Sequence, residues 1–146
     1  MDEQEARAAF ETALTEQVPD FETFFLAKLI GLRFEYPDER CVICFPVREF
    51  LFNPQGSLHG GIIATVMDIS MGHLLRRSLG VPGATLEMKL QFLAPVRPPQ
   101  ARCEGRFLRR GNSICFLESR LWNEAGELCA VATATWRASN RPPSPN

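Results

Sequence analysis

A single carboxylate, Asp68, lies inside a segment that otherwise has little polarity. Residues 62–75 are all apolar or small apart from Thr65, Asp68, Ser70 and His73, so the helix they predict has no broad polar face and should be buried. A charge in apolar surroundings must be paired, protonated or used in chemistry. Asp68 is therefore either a general base or nucleophile, or a structural acid that accepts hydrogen bonds from a loop.

A turn-rich segment leads into this helix. Residues 53–61 read Asn-Pro-Gln-Gly-Ser-Leu-His-Gly-Gly, which is typical of a loop that ends where a helix begins. The first N–H groups of a helix lack partners and carry a partial positive charge, and Gly60 and Gly61 would let a ligand oxygen approach them. An oxygen that becomes negative during a reaction would be stabilised there, with Asn53 nearby as a neutral donor and acceptor. The two glycines also fit a merely flexible entry to the helix.

The spacing of His59 and Asp68 limits how they can act together. They are nine residues apart, so on one helix they lie ~13.5 Å apart along the axis and on opposite sides. A shared site would need the helix start of one subunit and Asp68 of another, as in a two-fold dimer. A stripe of small or polar residues that would allow this close approach contains Gly61, Thr65, Asp68 and Gly72. His59 itself could cap the helix, hold the loop or orient a substrate.

The size and charge of the chain exclude several classes of function. Its 146 residues fit one domain. A net charge of −1 gives no overall field that would attract nucleic acid or an anionic membrane. The longest apolar runs are too short to span a bilayer, and the acidic N-terminus has no signal-peptide core. We therefore expect a cytoplasmic protein without nucleic-acid or membrane partners.

The five cysteines are expected to be reduced thiols of the core, because their number is odd and they are spread over apolar segments. Cys41 and Cys44 have C-x-x-C spacing. Their flanks predict a strand, in which positions three apart point to opposite faces, and no second Cys or His pair has ligand spacing. The sequence therefore predicts no metal site.

Turn signals and periodicity predict one antiparallel sheet around one long helix, an α+β architecture. Helices are expected at 2–17 and 21–30 before the central one, and strands at 32–36, 40–47, 84–92, 102–108, 113–122 and 128–136. The domain plan is a helical extension (1–20), one main domain (21–138) and a disordered Pro-rich tail (139–146). One sheet and one helix leave surface uncovered, so we expect a partner chain.

Several other features have mainly structural interpretations. Ala130, Ala132 and Ala134 fall on one face of the last strand, where they would let a helix lie close to the sheet. His73 is expected to be packed or partly exposed. The pairs Arg76-Arg77 and Arg109-Arg110 are typical of solvated charges, with contact to phosphate as the alternative.

Three motifs, taken together, resemble those of a known family. They are Asn53-Pro54-x-Gly56-x-x-His59-Gly60-Gly61, Asp68 seven residues after Gly61, and residues 84–96, Ala-Thr-Leu-Glu-Met-Lys-Leu-x-Phe-Leu-x-Pro-Val. The set closely resembles the hotdog-fold acyl-CoA thioesterases of the phenylacetate-degradation (PaaI-like) group, with likeness over residues 25–137. The resemblance implies that residues 21–138 are a hotdog thioesterase domain. It also implies dimers that often pair again into tetramers, and hydrolysis of an acyl-CoA thioester at the dimer interface.

The resemblance also implies catalytic roles. Gly60 would be the backbone oxyanion donor, and Asp68 of the facing subunit the general base or nucleophile. Asn53 and His59 would orient the thioester, the water or the loop. Thr85 lies where relatives carry a Ser or Thr that helps to place the attacking water. No cofactor or metal is implied, because CoA is part of the substrate.

Substrate-binding residues fall into three predicted groups. Gly61 would let a substrate oxygen approach the helix start. An apolar region for the acyl chain is expected near Phe50, Phe52 and Met71. The candidates for the CoA phosphates lie on one strand and the turn that follows it: Arg106, Arg109, Arg110, Gly111 and Asn112.

Two alternative functions remain open. An acyl-CoA sensor or carrier would bind without turnover, but such regulators usually add a DNA-binding segment. Residues 2–17 contain one basic residue, Arg7, and do not resemble one. A hydratase on the same fold is the weaker alternative, because the paired Asp and His motif expected on its helix is missing.

Overall fold

A 20-residue helix crosses one face of a six-stranded antiparallel sheet. The computed structural model describes residues 1–139, so the predicted tail, apart from Ser139, lies outside the described residues. The helices are α1 (Glu3–Glu16), α2 (Phe25–Ile30) and α3 (Gly60–Leu79), with a 3-10 turn at Glu49–Leu51. The strands are β1 (Arg33–Glu35), β2 (Arg40–Pro46), β3 (Gly83–Phe92), β4 (Gln100–Arg109), β5 (Ile114–Asn123) and β6 (Leu128–Ala138). The predicted α+β hotdog architecture is confirmed.

The strand order β1-β2-β4-β5-β6-β3 places β1 and β3 at the two edges of the sheet. Tight turns join β1 to β2 and β4 to β5. Asp38 and Glu39 adopt positive φ angles of 46° and 58° in the first. In the second, a Cβ at Gly111 would lie 2.2 Å from the carbonyl oxygen of Ile114. β3 follows α3 directly and pairs with β6, which leaves its other edge without a neighbouring strand.

Small residues let α3 lie close to the sheet. Ala130, Ala132 and Ala134 of β6 are all buried, as their spacing predicted. On β4, a Cβ at Gly105 would lie 2.7 Å from the carbonyl oxygen of Ser70, so the strand backbone touches the helix backbone. The apolar side chains of α3 therefore interdigitate with the sheet at the density of an ordinary core.

α3 buries its core-facing side, as predicted, and its other side stays open within the chain. Gly61 is exposed, and Thr65 and Asp68 are half-buried. Gly72 was expected on the same stripe, facing a partner. It is buried instead, because the ring of Trp136 on β6 covers it. The ring is so close that a Cβ at position 72 would lie 2.7 Å from it. The open stripe therefore ends near Asp68.

The N-terminal helices pack against each other through small side chains. α1 buries Ala9 and Ala13, which allow close contact with α2. The larger apolar residues of α1, Phe10 and Leu14, are 46% and 49% exposed. α2 begins later than predicted, because residues 21–24 form turns rather than helix.

The cysteines are free thiols, as predicted. Four of the five are buried, and burial raises the pKa of Cys103 to about 11. Within residues 1–139, no group of three or more His, Cys, Asp or Glu side chains is placed to hold a metal ion. Nor does any helix in this described part have the length and apolarity needed to cross a membrane.

His73 of α3 is a packed histidine, as expected. It is 6% exposed, its ring stacks on Phe34 at a centroid distance of 4.7 Å, and its Nε2 is hydrogen-bonded to the carbonyl oxygen of Phe21. Burial lowers the pKa of His73 and Arg76 lowers it further, whereas the bond to Phe21 and the charge of Glu22 oppose this. The fold therefore favours the neutral ring.

This preference makes acid unfolding sensitive to residue 73. A His with a lowered pKa in the folded state contributes stability that is present above its unfolded pKa of ~6.5 and is lost as the pH falls below it. As the pH is lowered, we expect the free energy of unfolding to fall more steeply in the wild type than in His73→Gln. The two slopes should differ by up to about 1.4 kcal/mol per pH unit, because glutamine keeps an N–H donor but does not titrate. Urea unfolding between pH 7.5 and 4.5 measures both slopes, and equal slopes would contradict the assignment.

Candidate active site

His59 caps the start of α3 with its own side chain. Nδ1 of His59 accepts a hydrogen bond from the N–H of Gly61 at 2.8 Å, and the carbonyl oxygen of His59 accepts from the N–H groups of Ile62 and Ile63. The N–H of Gly60 has no acceptor among residues 1–139. Gly60 is thus the available donor at this positive helix end. Gly61 was predicted as a second point of approach, but its N–H is already used by His59.

Asn53 holds the loop that leads to the helix. Its Oδ1 accepts from the N–H groups of Gln55 and Ser57, at 2.9 and 3.3 Å, and its Nδ2 donates to Oγ of Ser57 at 3.1 Å. The N–H of His59 donates to the carbonyl oxygen of Leu51, which ties the end of the loop to its beginning. Of the roles predicted for Asn53, this geometry supports orientation of the loop.

Among the described residues 1–139, the carboxylate of Asp68 has one hydrogen-bond partner. Oγ1 of Thr85, on β3, donates to Oδ1 of Asp68 at 2.7 Å. This hydrogen bond orients the carboxylate and so sets the direction of its second oxygen. Asp68 and Thr85 were both predicted as site residues, and the structure brings them together within one chain.

Gly60 and Asp68 are not brought together within one chain. They are eight residues apart on one helix, which separates them by ~12 Å along the axis. Strand β3 contacts both of them, since Thr85 near its start reaches Asp68 and Phe92 at its end reaches Gly60. A Cβ at Gly60 would lie 3.1 Å from Cζ of Phe92.

Sequence reasoning missed Phe92. Its place in the period-two pattern of residues 84–92 indicated only an apolar face, and no spacing along the chain connects residue 92 with residue 60. The structure shows the side chain 56% exposed at the end of an edge strand. In the sequence, Phe92 belongs to the motif of residues 84–96 and stands shortly before a proline-rich loop, but neither feature assigned it a role.

Two of the three basic residues predicted for the CoA phosphates already have partners. Arg106 pairs with Glu118 across β4 and β5, and Nη2 of Arg110 donates to the carbonyl oxygen of Ser78 at 2.5 Å. Ser78 lies ten residues beyond Asp68 on α3, so Arg110 is ~15 Å from Asp68 along the helix axis. Arg109 and Asn112 are exposed near the β4–β5 turn, and Gly111 is half-buried within it. Within one chain, this turn does not lie next to Gly60.

Arg76 and Arg77, for which phosphate contact was the alternative, lie over aromatic rings. Their guanidinium carbons are 4.1 Å from the ring centroid of Phe21 and 4.4 Å from that of Tyr36, respectively. Such cation–π contacts hold the two guanidinium groups against the rings of Phe21 and Tyr36.

The three predicted acyl-contact residues separate into two environments. Phe50 and Phe52 are half-buried beside the loop that Asn53 holds. Met71 is wholly buried, with 0% exposure. It belongs to the core, where α3 packs on the sheet, and so the prediction of Met71 as a residue of an open acyl site is corrected.

Comparison with known proteins identifies relatives. The family model of the thioesterase superfamily matches residues 55–130. Human acyl-coenzyme A thioesterase 13 is 33% identical over 103 residues, which cover 68% of this chain and 74% of that protein.

Solved structures share the fold. The BH2602 protein from Bacillus halodurans, solved with CoA, superposes with a TM-score of 0.86 at 21% identity and covers 97% of both chains. A phenylacetic acid degradation-related protein from Ralstonia eutropha JMP134 has a TM-score of 0.73 and 26% identity, covering 88% of this chain and 98% of that one.

The capping bond of His59 can be tested by stability. His59→Ala removes the acceptor for the N–H of Gly61, so we expect a loss of about 1 kcal/mol in the free energy of unfolding. His59→Asn restores a capping oxygen and should retain most of that stability. Urea unfolding at pH 8 compares the three proteins, and an alanine variant as stable as the wild type would show that the bond contributes nothing.

Proposed function

The chain belongs to the thioesterase superfamily, and we propose that it hydrolyses the thioester of an acyl-CoA to a free acid and CoA. The observation that carries this proposal is the unpartnered N–H of Gly60 at the start of a 20-residue helix. A relative named as an acyl-coenzyme A thioesterase and a structural neighbour solved with CoA support the choice of substrate class.

Gly60 would stabilise the oxygen that becomes negative. The thioester carbonyl oxygen accepts from the N–H of Gly60, and its negative charge in the tetrahedral intermediate is stabilised by that bond and by the positive end of α3. His59 supports this indirectly, because its bond to Gly61 fixes the first turn of the helix.

Asp68 would supply the carboxylate. As a general base, it accepts a proton from water while the water oxygen bonds to the thioester carbon; as a nucleophile, it forms an anhydride that water then cleaves. In the first path the carbon–sulfur bond breaks when the tetrahedral intermediate collapses, and in the second it breaks when the anhydride forms. Both paths release the CoA thiolate and yield the free acid. The Thr85 hydroxyl donates to Oδ1, so Oδ2 is left for the water or the substrate.

The leaving group explains why one carboxylate is sufficient. A thiol has an unperturbed pKa of ~8.5, so a thiolate departs with little need of protonation. We therefore propose a reaction without metal or cofactor, in which CoA is part of the substrate.

The site would be completed by a second copy of the chain. Strand β3 is an edge strand with exposed apolar residues, including Leu86 at 55%, and such an edge favours pairing with another strand. Next to it lies the open stripe of α3 with Gly61, Thr65 and Asp68. A two-fold dimer along this face would place Gly60 of one subunit near Asp68 of the other. Pairing of dimers into a tetramer extends the same proposal.

The location and the CoA contacts are also proposals. Five free thiols, four of them buried, suit a reducing compartment such as the cytoplasm. The exposed turn with Arg109, Arg110 and Asn112 remains our candidate for the CoA phosphates. Binding of a CoA phosphate by Arg110 would compete with the hydrogen bond that Arg110 donates to the carbonyl oxygen of Ser78.

Turnover of acyl-CoAs tests the proposal. We expect free thiol to be released from at least one member of a panel of short, medium, long and aromatic acyl-CoAs. Asp68→Asn should lower kcat by at least about 10²-fold, because the amide cannot accept the proton. Asp38→Asn, the same change in an exposed turn, is the matched control and should keep wild-type kcat.

Two results would overturn parts of this proposal. A wild-type protein that binds a nonhydrolysable acyl-CoA analogue but releases no thiol from any substrate is a sensor or carrier. Near-normal kcat in Asp68→Asn removes Asp68 from the mechanism.

Mixing of two inactive variants tests the shared site. Asp68→Asn and Gly60→Ala homodimers should both have low activity. In a mixed dimer, Gly60 from the first chain meets Asp68 from the second, so one site of two is intact. Random pairing makes about half of the dimers mixed, and so refolding an equimolar mixture should restore about a quarter of wild-type activity. No gain over the separate variants, in mixtures shown by sedimentation to be dimeric, would overturn the site shared between Gly60 of one subunit and Asp68 of the other.

A further inference from the structure

The ring of Phe92 occupies the space that a side chain at position 60 would need. A Cβ built on Gly60 lies 3.1 Å from Cζ and 3.3 Å from Cε1 of Phe92. These separations are shorter than ordinary carbon–carbon contacts of 3.5–4.0 Å. The aromatic ring therefore packs directly on Cα of the residue that carries the unpartnered N–H.

The backbone around Phe92 is held firmly. Phe92 is paired with Ala130 in the antiparallel register of β3 and β6. Directly after it, the N–H of Leu93 donates to the carbonyl oxygen of Cys129 at 2.8 Å, and the N–H of Ala94 donates to the same oxygen at 3.2 Å. The ring is thus presented to Gly60 by a fixed strand end rather than by a loose loop.

The ring also keeps a large open surface. Phe92 is 56% exposed, although an apolar ring is favoured in buried surroundings. One part of the ring covers Gly60, and the remainder is apolar surface next to the proposed oxyanion donor. An acyl group whose carbonyl oxygen binds Gly60 would cover that surface with its first carbons.

We propose that Phe92 is a positioning and specificity residue for the reaction, an inference that rests on the proposed thioesterase function. By packing on Cα of Gly60, it fixes the direction of the N–H that meets the developing charge. By lying beside that N–H, it limits the width of the acyl group at the carbon next to the thioester. Glycine at position 60 is then required by the ring as well as by the substrate.

A double-mutant cycle tests the positioning role. Gly60→Ala places a methyl group against the ring, and we expect kcat to fall by ~10²-fold, since a displacement of about 1 Å can have that effect. Phe92→Leu lacks Cε and Cζ and should lower kcat by ~10-fold, with little change in KM. In the double variant the methyl group has room, so kcat should rise at least ~5-fold above Gly60→Ala.

A pair of substrates tests the specificity role. Butyryl-CoA and isobutyryl-CoA differ in branching at the carbon next to the thioester. In Phe92→Leu, kcat/KM for the branched substrate divided by kcat/KM for the linear substrate should rise by ~10-fold. This is the size of the discrimination that one methyl group produces in an apolar pocket. Phe116→Leu, which shortens a ring of 41% exposure on β5, is the control and should keep the wild-type ratio. If these two acyl groups are poor substrates, the same branching is introduced into the acyl chain that the wild type prefers.

The outcomes separate the two proposals. A wild type without turnover overturns the thioesterase function and the role of Phe92 with it. An active wild type, combined with an unchanged ratio in Phe92→Leu and a double variant no faster than Gly60→Ala, overturns the role of Phe92 alone. Sedimentation of each variant shows whether the assembly is kept, and Phe92→Met replaces Phe92→Leu if the latter fails to fold.

Discussion

The close approach of α3 to the sheet is the constraint on which the rest of the structure depends. At three points there is no room for a side chain: a Cβ would lie 2.7 Å from the helix at Gly105, 2.7 Å from the Trp136 ring at Gly72, and 2.9 Å from Leu75 at Gly83. Close packing of this kind has few alternative arrangements, because a shift of the helix would produce clashes on one side and voids on the other. The middle of the helix, at residues 70–75, is therefore fixed against the sheet.

A helix fixed in this way gives β3 two functions. The strand pairs with β6 on one side, and its side chains reach α3 at two places, at Asp68 through Thr85 and at Gly60 through Phe92. The carboxylate and the helix start are thus braced by one strand, although they are too far apart to serve one carbonyl within a chain. The same strand has a free edge, which is why the proposed dimer and the proposed site depend on the same element.

The other end of α3 has a different role. His73 is enclosed by aromatic rings, Phe34 stacked and Phe21 edge-on, and Arg76 lies over Phe21. These contacts attach the N-terminal segment to the helix through apolar and cation–π packing. The proposed site residues therefore lie in the first half of α3, and His73 and Arg76 contact the segment around Phe21 further along.

The sequence by itself determined the fold class, the six strands and the central helix, because periodicity and turn residues are local properties of the chain. It also predicted Gly60, Asp68, Asn53, His59 and Thr85 as site residues, since motif spacing is readable from the chain alone, and their catalytic roles stay predictions. It could not separate Gly61, whose N–H is taken by His59, from Gly60, nor place Met71 in the core, nor see that Gly72 fits Trp136. The contact of Phe92 with Gly60 was also invisible. These were decided by tertiary structure alone, because each depends on how a strand and a helix distant in sequence pack against each other, and on which hydrogen bonds that packing leaves unmade.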